Sequence, residues 1–141
     1  MLQEIYGITF KSSSRAAAEI FIYRQMRTWG FDYEHVEECF NDRHNHRDLW
    51  KQLITMYNTP DKARLCRAIL ETNDCYVGMR CELEYQASKE LFDQVLWVDA
   101  LKRHPTDPTM SIRRDPGMTV IDNNGDLDHL RRQLQGLFPH E

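Results

Sequence analysis

The chain has no apolar run approaching the roughly 20 residues a membrane-spanning helix needs, and its first residues lack the charged-then-apolar pattern of an export signal. Neither a spanning segment nor a secretory leader is therefore expected. No long basic tract exists and the formal net charge is −4, which argues against a chain built to coat nucleic acid or an anionic membrane. Local basic clusters can still hold a small anion. The four cysteines, at 39, 66, 75 and 81, are scattered rather than arranged as a framework, so reduced thiols and a cytoplasmic setting are expected. Glycine is scarce, with six residues, and no GxxxxGK(S/T) loop is present to cradle a β-phosphate. The nearest text, Gly7-Ile-Thr-Phe-Lys11-Ser12, has one glycine instead of two and is two residues short between glycine and lysine.

What is present is a globular composition, 41% hydrophobic and 28% charged over 141 residues. That is enough for one domain, 1–141, with a real core. No internal repeat, low-complexity tract or linker divides it. Residues 4–10, EIYGITF, alternate Tyr6, Ile8 and Phe10 on one side and predict a short strand. Ser13 or Ser14 is then expected to cap a helix through about Trp29, with Ala18, Phe21, Ile22, Met26 and Trp29 on one face and Gly30 as its stop. A second helix is expected near Asn45, carrying Leu49, Trp50, Leu53, Ile54 and Tyr57 at helical spacing. NTPD breaks it, and Asp61 is placed to cap a third helix bearing Leu65, Cys66, Ile69 and Leu70.

From residue 74 to 130 the texture changes to strand, helix, strand, basic loop, strand, helix, the order of a parallel α/β sheet. The runs 75–79 and 95–98 are short and almost continuously apolar, as for strands covered on both faces. Residues 102–118 hold three of the five prolines and no hydrophobic period, and read as a long, lid-like surface loop. TVID then predicts a last strand, NNG a turn, and Asp126 the cap of a helix with Leu127, Leu130, Leu134 and Leu137 on one face.

Three clusters carry candidate chemistry. DRHNHRD, 42–48, puts two arginines and two histidines at a helix start, where backbone N–H groups and guanidinium forks suit an anion. A solvated helix start with Asp42, Asn45 and Asp48 complementing the dipole is the plainer alternative. His44 and His46 diverge on a helix and no third ligand is evident, so no metal is expected. YVGMRCELE, 76–84, places Gly78 and Arg80 at the C-terminal end of a buried strand, where glycine allows close backbone approach and Arg80 reaches either a phosphate or Glu84. Lys102, Arg103, Arg113 and Arg114 flank the Pro-rich loop; they suit a flap closing over a polyphosphate or a solvated charge run.

In this order the segments FKSSS, CFNDRHNHRDLW, YVGMR with a following Glu, LWVDA with a basic loop, and IDNNGDLDHL resemble the phage-type deoxynucleoside monophosphate kinases, a branch of the P-loop nucleotide kinases. The resemblance covers nearly the whole chain. It implies a parallel sheet flanked by helices, here without the family's first strand and P-loop. It also implies a dNMP substrate, with ATP and Mg²⁺ as donor and cofactor if the chain is active. Carried over, Arg43 and Arg47 stand in the monophosphate-binding region, Arg80 at the strand end facing the nucleotide, and Arg103 at the start of the lid; IDNNG is structural. Arg80 and Arg103 are the candidate catalytic groups, stabilising charge on the transferring phosphoryl. The family's acidic strand-end pattern reads Val77-Gly78-Met79-Arg80 here, so a group organising Mg²⁺ is missing. Losing the P-loop removes the backbone cradle, its lysine and the Mg²⁺-binding hydroxyl together. The expectation is thus dNMP binding without efficient phosphoryl transfer by this polypeptide alone, in a cytoplasm that is the host cell's if the chain is phage-encoded. The alternative is a non-catalytic kinase fold that binds a host or phage protein or self-associates through strand edges, with Trp29 or Trp50 as anchors. An acid–base pair of His44 and His46 is a third reading, without a partner constellation.

Overall fold

The computed structural model describes residues 1–102 and 110–138. It is mixed α/β, with two small sheets, each of two parallel strands. The chain groups into two compact units: Thr9–Met79, rich in helix, and Met1–Ile8 together with the chain from Arg80 onward.

The helical unit opens with β1, Phe10–Ser12, and closes with β2, Cys75–Val77. They pair in parallel, Phe10 opposite Cys75 and Ser12 opposite Val77. Four hydrogen bonds clamp the start of the pair. The Asp74 carboxylate accepts from the Thr9 N–H and hydroxyl, both at 3.0 Å, and the Asp74 N–H donates to the Thr9 hydroxyl and carbonyl oxygens, also at 3.0 Å. Between the strands runs α2, built of α-helical Ser13–Ala17, π-helical Ala18–Ile22 and α-helical Tyr23–Thr28. Its cap is Ser12, one residue before the expected serines, whose hydroxyl accepts from the Arg15 N–H at 3.1 Å. Then come α3 (Val36–Asn41), a 3₁₀ turn (Arg43–Asn45), α4 (Arg47–Tyr57) and α5 (Arg64–Leu70).

The core of this unit is built around α2. Ala16, Ala17 and Ala18 are all buried. Three consecutive positions cannot share one helical stripe, but alanine's small side chain lets neighbours approach from more than one direction, and α3 and α5 both pack there. Ile22 and Met26 continue the buried face, each contributing about 1.5–3 kcal/mol of burial. Phe21 stacks on Tyr57 of α4 with ring centroids 4.4 Å apart. Trp29 departs from expectation: it is 53% exposed. The helix stops at Thr28, and a Schellman closure turns the chain away, with Phe31 N–H bonding the Met26 carbonyl and Gly30 N–H that of Arg27, both at 3.0 Å. Trp50 is buried.

Ala63, and not the expected Asp61, stands at the cap position of α5, and two side chains further back serve the N–H groups around it. Asp61 accepts from Ala63 N–H at 3.0 Å, and Asn58, just past α4, accepts from Leu65 N–H at 3.0 Å. Asn58 is only 4% exposed, so its oxygen satisfies a helix donor that water does not reach.

The second unit begins with α1, Leu2–Tyr6, a helix where the alternation of 4–10 predicts a strand. Gly7 ends it in the left-handed region (φ 70°, ψ 18°), its N–H bonding the Gln3 carbonyl at 2.9 Å, so Tyr6 and Ile8 never share a strand face. Tyr6 instead donates its hydroxyl to the Leu134 carbonyl at 2.6 Å and meets Phe138 edge-on at 4.9 Å. After Arg80 follow α6 (Glu82–Ser88) with a 3₁₀ turn (Lys89–Leu91), β3 (Leu96–Asp99), β4 (Thr119–Asp122) and α7 (Leu127–Gln135). β3 and β4 pair in parallel, Leu96 opposite Thr119 and Asp99 opposite Asp122. Asp126 caps α7 as expected, accepting from His129 N–H at 2.8 Å. Among the described residues, Tyr85, Met118, Ile121 and Leu134 are the buried apolar side chains of this unit.

The strands are not covered on both faces, contrary to what their apolar runs predict. Val77 is 43% and Val98 56% exposed. Among the described residues every strand lies in a two-stranded sheet and so is an edge there, and the apolar runs mark strands without burying them.

Asn58→Ala is expected to lower stability by about 1–3 kcal/mol, since it leaves a buried N–H unpaired. Asp61→Ala, at an exposed site, should cost less than about 1 kcal/mol. Urea unfolding of the two variants checks the order.

Candidate functional site

Arg43 and Arg47 belong to the helical unit, where the 42–48 segment folds around one carboxylate. Asp42 accepts from the Tyr33 hydroxyl at 2.6 Å and the Asn45 amide at 2.5 Å, and lies 3.2 Å from His46 Nε2. The Tyr33 hydroxyl, then the Asn45 amide, hold the Asp42 carboxyl below the usual carboxylate range. Burial, reinforced by Asp42, pushes the Tyr33 phenol well above its ordinary value. The His46 ring meets Phe31 edge-on at 5.1 Å. His46 is thus a packing and hydrogen-bonding partner, and Asp42 and Asn45 knit the turn together while no side chain caps α4.

Around this turn the structure gathers cations. Arg43 lies over the Phe40 ring, 4.0 Å from its centroid, and donates to the Phe40 carbonyl at 2.9 Å. Arg15, three residues past the carboxyl end of β1, is 5.4 Å from the same centroid. Arg15 Nε bonds Glu19 at 2.9 Å, its Nη2 bonds Glu37, and Lys11 Nζ reaches Glu19 at 2.6 Å. Arg47 is exposed at the first position of α4, with no hydrogen bond or ion pair among the described residues. Sequence reasoning singled out Arg43 and Arg47 but not Arg15. The Arg15–Glu19 spacing of four on a helix was a readable signal; the approach of Glu37 and Phe40 from another helix was not.

Gly78 ends β2 with φ 101°, and a Cβ there would stand 3.0 Å from the Ser13 hydroxyl oxygen. The close approach anticipated at this glycine is therefore made by the start of α2.

Arg80 belongs to the other unit and is exposed there. Its carbonyl accepts from the N–H groups of Ser111 and Ile112, both at 3.0 Å. Ser111 Oγ accepts from Glu82 N–H at 3.0 Å, Glu82 accepts from Arg113 N–H at 2.9 Å, and Tyr85 donates to Asp115 at 3.0 Å. The Arg113 N–H, followed by the Gln86 amide, holds the Glu82 carboxyl low. The described end of the 102–118 loop is thus a strap fastened to α6, where a free flap is one expectation from its composition. Arg113 and Arg114 remain exposed on it. Arg103 lies outside the described residues.

The IDNNG turn is occupied with its own structure. Asp122 accepts from the Asn124 N–H and side-chain amide at 3.0 and 2.9 Å, and Asn124 accepts from Lys102 N–H at 2.8 Å. A cleft of about 570 Å³ follows, lined by Asn123, Gly125, Asp126, Leu127, Asp128 and Leu130. Its two carboxylates make it unsuited to a polyanion. Among the described residues the metal-competent donor atoms that converge are those of Glu34, His35 and Glu38, within 4.8 Å of one another and all exposed. Acidic groups at the start of α3 also complement its dipole, and His44 is exposed elsewhere.

Asp74 is held low by the Thr9 N–H and then the Thr9 hydroxyl; Asp42 and Glu82 are lowered as described above. A carboxylate whose folded pKa is depressed stabilises the fold above its unfolded pKa, about 4, and that contribution is lost as pH falls through the folded value. The melting temperature should therefore drop as pH is lowered below about 4, with a shallower drop in Asp74→Asn. A variant profile as steep as the parent's would contradict the Thr9–Asp74 account.

No protein-family model matches the chain, and neither a curated protein nor a solved structure is found to match it.

Proposed function

We propose that the chain is a nucleotide-kinase-like α/β domain that binds the phosphate of a deoxynucleoside monophosphate, with Arg43 and Arg47 as contacts. The observation that carries this reading is the pair of guanidinium groups beside the Phe40 ring, those of Arg43 and Arg15, the latter three residues past the carboxyl end of a parallel strand; Arg47 joins them as an exposed cation at the first position of α4. Open parallel sheets take their ligands at the carboxyl ends of the strands. Guanidinium forks match phosphate oxygens in pairs. Arg80 and Arg103 join the proposal through the family resemblance alone, as do ATP and Mg²⁺. The sequence holds no GxxxxGK(S/T), so the main electrostatic terms for γ-phosphoryl transfer are lacking and binding is proposed without efficient catalysis.

The second reading is a non-catalytic protein that binds another protein. Two-stranded sheets with exposed Phe10, Val77 and Val98, and the half-exposed Trp29, favour it. Trp50, buried in the helical unit, is not an anchor.

Isothermal calorimetry with each dNMP, with and without ATP and Mg²⁺, separates the two. The first reading expects saturable dNMP binding, weakened about tenfold or more by Arg43→Ala or Arg47→Ala, as for loss of a charge-assisted contact. An absence of dNMP binding at millimolar concentration would sink it.

A further inference from the structure

The ion pair between Arg15 and Glu37 differs from its neighbours in what it contributes to the fold. Arg15 is already held within its own helix by Glu19, at 2.9 Å and a spacing of four. Glu37 reaches it from the first turn of α3. The Glu37 side chain is 60% exposed, against 26% for Arg15. Exposed pairs of this kind are weak, so the carboxylate can leave at little cost while Glu19 keeps the guanidinium in place. Arg15 and Arg43 both lie within 5.4 Å of the Phe40 centroid. Arg43 gives one donor to the Phe40 carbonyl, and among the described residues the rest of its five meet no acceptor.

We propose that Glu37 holds the place of a phosphate: its carboxylate occupies Arg15 in the unliganded chain and is displaced when a phosphate monoester engages Arg15 and Arg43 together. The inference rests on the dNMP-binding reading and adds a residue, Arg15, and a built-in competitor to it. A carboxylate carries one negative charge. A phosphate monoester near pH 7 carries about 1.5 to 2, with three acceptor oxygens to share between two guanidinium forks. The phosphate thus brings more charge and more acceptors to the two guanidinium groups than the carboxylate it displaces. Glu37 sets its threshold by competing for the same donors and by adding like charge beside the incoming anion.

The test is calorimetric titration of the full chain with each dNMP and with inorganic phosphate, comparing the parent with Glu37→Gln, Arg15→Lys and Glu4→Gln. Glu4 pairs with Arg131 in the other unit and controls for a general loss of negative charge. Removing Glu37's charge is expected to tighten dNMP binding about two- to fivefold, the worth of an exposed pair. Arg15→Lys should weaken it, and Glu4→Gln should leave it unchanged. If the parent binds a dNMP but Glu37→Gln binds no more tightly, the placeholder idea fails while the dNMP reading stands. Equal tightening by Glu37→Gln and Glu4→Gln would also overturn it, as a bulk charge effect. If no form binds a dNMP, both fall together.

Discussion

Parallel pairing of β1 with β2 is the constraint on which the helical unit depends. Two parallel strands cannot be joined by a tight turn; the chain must leave one strand, cross over and return in the same direction. Here the whole crossover, from Ser13 to Asp74, supplies the unit's helices. The reciprocal bonds between Thr9 and Asp74 close that loop 65 residues apart in sequence. Because α2 follows β1 directly, its buried alanines form the surface against which α3 and α5 are packed. The helix start, Arg15 included, is thereby held next to the strand's carboxyl end. Geometry that serves the core also delivers the cations.

Four carboxylates hold segments of this protein together. Asp42 organises the turn between α3 and α4, Asp74 the start of the sheet, Asp122 the turn after β4, and Glu82 the strap across α6. In each case an N–H or O–H donor falls on the carboxylate and lowers its pKa. Arg47 and the outer part of Arg43 stand apart from this pattern, since their donors are not consumed by carboxylates among the described residues. Arg43 and Arg47, rather than the acidic cleft beyond β4, therefore offer unspent donors to an anion.

Local chemistry was legible where one segment decides its own conformation. Asp126 caps α7 as its position suggests, NTPD ends α4, and the helical spacing of Trp50 and Leu53 marks the buried side of that helix. The 4–10 segment misled because alternation of Tyr6, Ile8 and Phe10 is compatible with a strand only if Gly7 stays extended, and it does not. The start of α5 was half readable: Asp61 is adjacent in sequence, whereas Asn58 acts from the end of the preceding helix, seven residues before its partner Leu65.

By itself the sequence determined the order of elements beyond residue 74, the cap of α7 at Asp126, the stops at Gly30 and NTPD, and the presence of Arg43, Arg47 and Arg80 at element boundaries. These follow from side-chain period and backbone preference, which act over a few residues. Tertiary structure alone decided which strands pair, that the apolar strands remain edges, that Trp29 faces outward while Trp50 is buried, and that Glu37 meets Arg15. Each of these depends on contacts between residues distant along the chain, and neither side-chain period nor local propensity encodes the partner.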